Sequence, residues 1–271
     1  MNVQGKVAVI TGAGSGIGQA VAVELAERGV RALGLVDRSE NVLRVARTIN
    51  DMAGGAVAEG MIGDTTDAEF RRKVFDLLQA KHGTVSICVP AAGITRDQLA
   101  VKVDKETGKA AIYPYDNFRL VLDVNLAAPV YWAMEMIARI AEDRYRKSLK
   151  KWDASEGVQG TIVFIGSISS QGIPGQISYS ATKAGLEGAA ATLAKEATFY
   201  GIRATVIHPG FTDTPMVRAL GEEYINKYIL PYTQLKRLIQ PEEIADAIYF
   251  LISNSAVSGE LWADAGWHPS A

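Results

Sequence analysis

"KVAVITGAGSGIGQAVAVELAERG", Lys6 to Gly29, decides the fold. Its opening "KVAVIT" is apolar and β-branched, as a buried strand is, and its closing "QAVAVELAER" spaces apolar residues along one face of a helix. Between them stands "TGAGSGIG", Thr11 to Gly18. Glycines there let the backbone turn tightly and approach a pyrophosphate, while the helix start offers unpaired N–H groups and a partial positive charge. The spacing Gly12, Gly16, Gly18 is not the G-x-G-x-x-G of two-domain dehydrogenases. A plain glycine-rich turn is the competing reading, and the strand before and helix after weigh against it.

The same rhythm continues outward. "RALGLVD", "GAVAEGMI", "TVSICVP", "GTIVFIGS", "RATVIHP" and "GELWADAG" read as further strands, separated by helical patterns such as "AEFRRKVFDLLQA". Strand–helix alternation predicts an α/β fold, a parallel sheet covered on both faces. No repeat, low-complexity tract or linker interrupts it, so residues 1–271 are expected to form a single doubly wound domain of Rossmann type. Two segments look inserted: 101–114, where "VKVDKETGKAAIYP" predicts a surface hairpin, and 144–159, a charged tail following a long helix.

Bulk properties narrow the function. A 48% apolar content supplies a large core, and a net charge of −2 argues against nucleic acid or an anionic membrane as partner. The basic run "RYRKSLKK" (Arg144 to Lys151) reads as a solvated helix end, with a phosphate patch as the weaker option. No stretch approaches about eighteen uninterrupted apolar residues, and the amino terminus lacks a signal-peptide pattern. Cys88, the single cysteine, excludes an internal disulfide and fits a reducing cytoplasm. His82, His208 and His268 show no metal-ligand spacing, so no metal is expected.

The loop residues Gly12, Ser15, Gly16, Ile17 and Gly18 are therefore candidates for a dinucleotide. Asp37 follows Gly18 by nineteen residues, at the end of the second strand, where a carboxylate accepts hydrogen bonds from an adenosine ribose. It would repel a 2′-phosphate, and Ser15 brings no compensating charge, so NAD is expected over NADP. Arg38 is the residue that could reverse this. Asp64 is placed to meet the adenine amino group or to cap a helix.

Two Tyr-x-x-x-Lys pairs occur: Tyr179 and Lys183 in "ISYSATKAG", and Tyr232 and Lys236 in "YTQLK". Residues four apart share a helix face, so the first pair can point together toward the carboxyl ends of the strands. Asn125 sits in "FRLVLDVNLAAPVYW", where an interior asparagine is unfavourable. Ser167 closes "GTIVFIGS", with Ser169 and Ser170 as loop hydroxyls beyond it.

With "TGAGSGIG", "AAG" at 91–93, Asn125, "GSISS" and "YSATK" in this order, the chain resembles the short-chain dehydrogenase/reductase family over its full length. "AAGITRD" and "HPGFTDTPM" are most similar to its 3-oxoacyl-thioester reductase branch. The resemblance implies a predominantly parallel seven-stranded sheet, commonly a homotetramer (a dimer otherwise), and the catalytic set Asn125, Ser167, Tyr179 and Lys183. It further implies cofactor contacts from Ala92, Gly93, Tyr179 and Lys183, and from Pro209, Gly210, Thr212 and Thr214. Asn125 would hold a water in the proton relay, and Lys183 the nicotinamide ribose. A lid over about 211–233 follows, in which Phe211, Met216, Val217, Leu220 and Tyr224 give either an apolar inner face for an apolar small-molecule substrate or simple core packing. The small-residue helix "AGLEGAAATLAKEA" fits a subunit interface or packing on the sheet equally.

Three departures stand out: Pro90-Ala91-Ala92-Gly93 where the family has N-N-A-G, a Ser167–Tyr179 spacing one residue short, and the two insertions. The expectation is an NAD(H)-dependent oxidoreductase interconverting a secondary alcohol and a ketone. The alternatives are a 3-oxoacyl-thioester reductase, and a non-catalytic NAD-binding sensor or scaffold.

Overall fold

Buried strands joined by one-faced helices leave few arrangements open, and the computed structural model shows the expected one for residues 1–267. His268 lies outside the described residues. Seven strands form one sheet: β1 (Val7–Thr11), β2 (Ala32–Asp37), β3 (Ala58–Ile62), β4 (Ile87–Pro90), β7 (Gly160–Ile165), β8 (Ile202–Pro209) and β9 (Gly259–Ala263). Their order is β3-β2-β1-β4-β7-β8-β9, and every pairing is parallel. The chain moves outward through β2 and β3 on one side of β1 and through β4 on the other. That reversal opens a crevice at the carboxyl ends of β1 and β4, where open α/β sheets bind ligands.

Each face carries its own apolar layer. On one, α1 (Gly16–Glu27), α2 (Asn41–Ala53) and α9 (Pro241–Ser253) bury Val21, Leu25, Val45, Ile49, Ile248 and Leu251. On the other, α3 (Ala68–His82), α5 (Ala128–Arg146) and α6 (Ile177–Glu196) bury Phe75, Leu78, Trp132, Met136, Leu186 and Leu193. Full burial of a side chain of this size stabilises by about 1.5–3 kcal/mol. Trp132 also donates its indole N–H to the Thr65 carbonyl at 2.9 Å, so its polar edge is satisfied. The helical run Tyr115–Arg146 is long and apolar enough to cross a membrane, but Trp132 and Met136 on it pack into the core against the sheet, and Val121 is also buried.

That run is not uniform. Helix α4 (Tyr115–Leu122) passes into a π-turn, Asp123–Ala127, before α5 begins. Asn125 lies inside this turn, which resolves the puzzle of an asparagine mid-helix: the wider turn is a frequent device at functional sites.

Both insertions are ordered. Strands β5 (Val101–Val103) and β6 (Ala110–Ile112) form the expected antiparallel hairpin, closed by the Asp104 carboxylate accepting from the Thr107 N–H at 2.7 Å. The second insertion corrects the reading of the basic run. Tyr145, Arg146 and Lys147 are exposed, but Arg144 turns inward, buried, and pairs with Glu156 at 2.6 Å. Glu156 and Asp153 cap each other's backbone in a short 3-10 turn, and the Trp152 N–H donates to Phe199 O.

The segment after β8 folds as α7 (Pro215–Arg218), α8 (Glu222–Tyr224) and a π-turn, Ile225–Ile229. Phe211 and Val217 pack against Ile225, Ile229 and Leu238, so for these two the core-packing reading holds. Met216, Leu220 and Tyr224 stay substantially exposed.

Candidate active site

The crevice holds a cleft of about 350 Å³ lined by Gly12, Ser15, Gly16, Ile17, Gly18, Asp37, Arg38, Asp64, Ala92, Gly93, Tyr179, Lys183 and Thr214, among others. Each of these came from sequence as a candidate. Met216, expected on the inner face of the lid, also lines it; Thr65, Ala91, Ile94, Val124, Ile165 and Pro215 line it too and were missed, because such residues carry no signal apart from their neighbours in space.

The glycine loop is shaped by what it must not carry. Gly12 has φ +67°, and a Cβ there would stand 2.7 Å from the Ala92 nitrogen. The ends of β1 and β4 therefore touch backbone to backbone, tied by Ala91 N–H to Thr11 O and by Ala92 N–H to the Thr11 hydroxyl, both at 3.2 Å. Pro90-Ala91-Ala92-Gly93 thus holds its position through main chain and Thr11, without asparagine side chains. A Cβ on Gly14 would stand 2.9 Å from Asp37 Oδ2. Helix α1 has no side-chain cap at Ser15, whereas Asp67 caps α3 and Gln240 and Glu243 box α9. Its first N–H groups are left for an anion. These features fit a dinucleotide's pyrophosphate.

Asp37 is fixed from both sides: Oδ2 accepts from Gly14 N–H and Oδ1 from Ser39 N–H, each at 2.9 Å. Arg38 turns away from it; the guanidinium is 71% exposed and approaches Asp64 at 3.8 Å. Asp64 itself is no helix cap, since Asp67 takes that role. Burial would raise its carboxyl, but the Thr66 N–H and hydroxyl, with Arg38, hold it below the usual range.

On the opposite wall, Tyr179 and Lys183 lie in the first turns of α6, with Lys183 Nζ 5.4 Å from the Tyr179 ring centre. Lys183 is 5% exposed and donates to Ile165 O at 2.7 Å. Burial drives its pKa down to about 8. Burial also pushes the Tyr179 phenol up to about 12; the Ser167 side chain opposes that rise and the Asp97 carboxylate adds to it. Ser167 lies two residues past β7, capping a 3-10 turn (Ile168–Gln171), its hydroxyl accepting from Ser169 N–H at 3.1 Å. Ser169 is buried rather than a loop hydroxyl, and Ser169, Gln176 and Asp97 form a chain at 2.8 Å per link.

Asn125 is fully buried and grips Ile94 twice, accepting from its N–H at 2.9 Å and donating to its carbonyl at 2.8 Å. Both ends of its side chain are engaged by backbone. Pro209, Gly210 and Thr212 lie beyond the cleft lining: Pro209 ends β8 against Ala263, Gly210 packs on the Asp264 backbone, and the Thr212 hydroxyl donates to Gly210 O at 3.0 Å. Thr214 caps α7 and rests its methyl where a Gly16 Cβ would stand 3.0 Å away. Tyr232 is 66% exposed in a separate 3-10 turn, and Lys236 donates to Pro231 O, so the second Tyr–Lys pair lies outside the site.

Comparison with known proteins agrees with this geometry. The family model described as enoyl-(acyl carrier protein) reductase matches residues 12–268. The 3-oxoacyl-(acyl-carrier-protein) reductase of Escherichia coli is 35% identical over 263 residues, 96% of either chain. A short-chain type dehydrogenase/reductase from Mycobacterium marinum superposes with a TM-score of 0.82 at 26% identity, covering 98% of this chain and 96% of that one. The 3-ketoacyl-(acyl-carrier-protein) reductase from Brucella melitensis, solved with NADH, gives a TM-score of 0.80 at 25% identity, covering 98% of this chain and all of its own. The chain is an oxidoreductase, and it belongs to the short-chain dehydrogenase/reductase family.

Proposed function

We propose that the protein is an NAD(H)-dependent reductase of ketones to secondary alcohols, reversible, with Tyr179 as general acid and base. The observation that carries this is the meeting of Tyr179 and Lys183 with the glycine loop and Asp37 in one cleft. Gly12 to Gly18 would hold the pyrophosphate, Asp37 the adenosine ribose, and Lys183 the nicotinamide ribose. NADH, when bound, supplies the hydride. With its phenol at about 12, Tyr179 keeps its proton at neutral pH and is poised to give it to a carbonyl oxygen. Ser167, beside that phenol, orients the same oxygen. The Lys183 ammonium, still mostly charged at pH 7 with a pKa of about 8, stabilises the phenolate left behind. Asn125 holds Ile94, and with it the loop that walls the cleft, through one hydrogen bond at each end of its side-chain amide.

An apolar substrate suits the lining by Ile94, Val124, Ile165 and Met216. A 3-oxoacyl thioester is the second reading, favoured by the 35% identity to the Escherichia coli enzyme. Leu120, Tyr131 and Met134, exposed on α4 and α5, support a homo-oligomer. The test is NADH oxidation by purified protein against ketones, sugars, oxosteroids and 3-oxoacyl thioesters; absence of turnover with all classes would favour a sensor or scaffold.

Cofactor choice is tested alongside. Asp37, held by two backbone N–H groups with Arg38 turned aside, would face the extra phosphate of NADP. We expect at least about a hundredfold preference for NAD in kcat/KM, or roughly 2.7 kcal/mol. Asp37→Ser should erode it, and adding Ser15→Arg should move it toward NADP. Equal efficiency in the unmutated protein would show that Arg38 swings across to clasp the phosphate.

A further inference from the structure

His208 is fully buried near the end of β8, its ring stacked on Trp262 of β9 with centres 4.1 Å apart and planes 13° from parallel. One ring nitrogen, Nδ1, lies 3.3 Å from the Ser167 backbone nitrogen and 3.1 Å from the Ser167 carbonyl oxygen. The other, Nε2, faces two carboxylates: Glu260 Oε2 at 3.3 Å and Glu187 Oε1 at 3.8 Å. Neither Nε2 nor Glu187 Oε1 is in an aligned hydrogen bond. A Cβ on Gly166 would stand 2.6 Å from Nδ1, so the ring fills space that only a glycine before Ser167 leaves open.

Nδ1 cannot serve both backbone atoms of Ser167. It donates to the carbonyl if it carries the proton and accepts from the N–H if it does not. Two carboxylates facing Nε2 repel a lone pair and attract an N–H, which draws the proton of the neutral ring to Nε2. Nδ1 is then the acceptor for the Ser167 N–H. We propose that His208, held in this tautomer by Glu187 and Glu260 and in this plane by Trp262, is a positioning residue. It fixes the backbone of Ser167 and thereby aims the Ser167 hydroxyl. The proposal rests on the reading of Ser167 as the group that orients the substrate oxygen. Ile165 O, the acceptor for Lys183, lies two residues earlier and is held within β7, so the Lys183 anchor does not depend on His208.

The test uses the full-length protein, His208→Leu and His208→Asn, with Ser167→Ala as reference. Asparagine keeps an acceptor at the Nδ1 position; both variants lose the stack on Trp262, so both should lose similar thermal stability. The expected result is a fall in kcat of roughly tenfold to a hundredfold for His208→Leu, the scale of a misplaced catalytic group, with the Kd for NADH unchanged within about twofold. His208→Asn should recover most of that kcat at the same reduced stability. In the unmutated protein with ring-labelled histidine, nitrogen NMR should show Nε2 bearing the proton and Nδ1 bare. Equal kcat losses in the two variants, or a protonated Nδ1, would overturn the proposal while leaving Ser167 in place. A zinc or manganese ion copurifying at one per chain and bound at Nε2 would also overturn it, since the three residues would then be a metal site. Full turnover in Ser167→Ala would remove the premise and the proposal with it.

Discussion

Replacing Lys183 by methionine should make the protein more stable while destroying its activity. The ammonium is 5% exposed, and burial takes its pKa from 10.5 to about 8. At 1.36 kcal/mol per pH unit, that displacement corresponds to roughly 3 kcal/mol of folding free energy lost at neutral pH. Methionine removes this burden but leaves the Ile165 carbonyl without its donor, which costs about 1–1.5 kcal/mol. A net gain of about 2 kcal/mol remains at pH 7. Its pH dependence has a definite sign. Below pH 8 both folded and unfolded chains carry the ammonium, and the wild type bears the full penalty. Between about 8 and 10.5 the unfolded chain binds more protons, so wild-type stability climbs with pH and the advantage of the variant shrinks. Urea unfolding of both proteins without added nucleotide, at pH 7 and pH 9, measures the difference directly, and all other titrations cancel in it. We expect about 2 kcal/mol at pH 7 and about 1 kcal/mol at pH 9. A difference independent of pH, or a wild type more stable than the variant at pH 7, would refute the reasoning.

Tyr179→Phe should leave the Kd for NADH within a few-fold and lower kcat by several orders of magnitude, since only the titrating oxygen is removed; Tyr232→Phe, at an exposed turn outside the cleft, should be silent in the same assay. Gly12→Ala meets both a positive φ and the Ala92 backbone, so thermal unfolding should report a loss of about 2–4 kcal/mol, and fluorescence titration a collapse of NADH binding. Deleting Lys102 to Ala111 should preserve NADH affinity, because the hairpin touches neither the glycine loop nor Asp37, and should change substrate KM or the mass seen by light scattering. A large loss of NADH affinity in that folded variant would place the hairpin in the cofactor site.

The sheet was legible because its signal is local. Most strands are short apolar runs, and their alternation with helices predicts a parallel sheet covered on both faces. The hairpin at 101–112 was readable from alternation and the "ETGK" turn. Side-chain destinations were less so. Arg144 sits in a run of cations and reads as solvated; its burial depends on Glu156, twelve residues away across a loop. The grip of Asn125 on Ile94 was not readable, because the two residues meet only once β4 and α4 are side by side. His208 was isolated in sequence, and its neighbours Glu187, Glu260 and Ser167 come from three other elements. The protonation state of Tyr179 depends on burial, which no spacing encodes.

The double grip of Asn125 on Ile94 has a bearing on how this scaffold diversifies. The hairpin emerges from the chain between Ile94 and Tyr115, and both of its roots are pinned. Ile94 is held by Asn125, and the Tyr113 hydroxyl donates to Arg96 O at 2.7 Å while meeting Ser178 of α6 at 2.9 Å. A segment clamped at its base behaves like an interchangeable fitting: its tip can lengthen, shorten or change charge without transmitting strain to the wall of the cleft. Substrate preference and assembly could then drift among relatives at this one place, under selection separate from that acting on the hydride-transfer machinery.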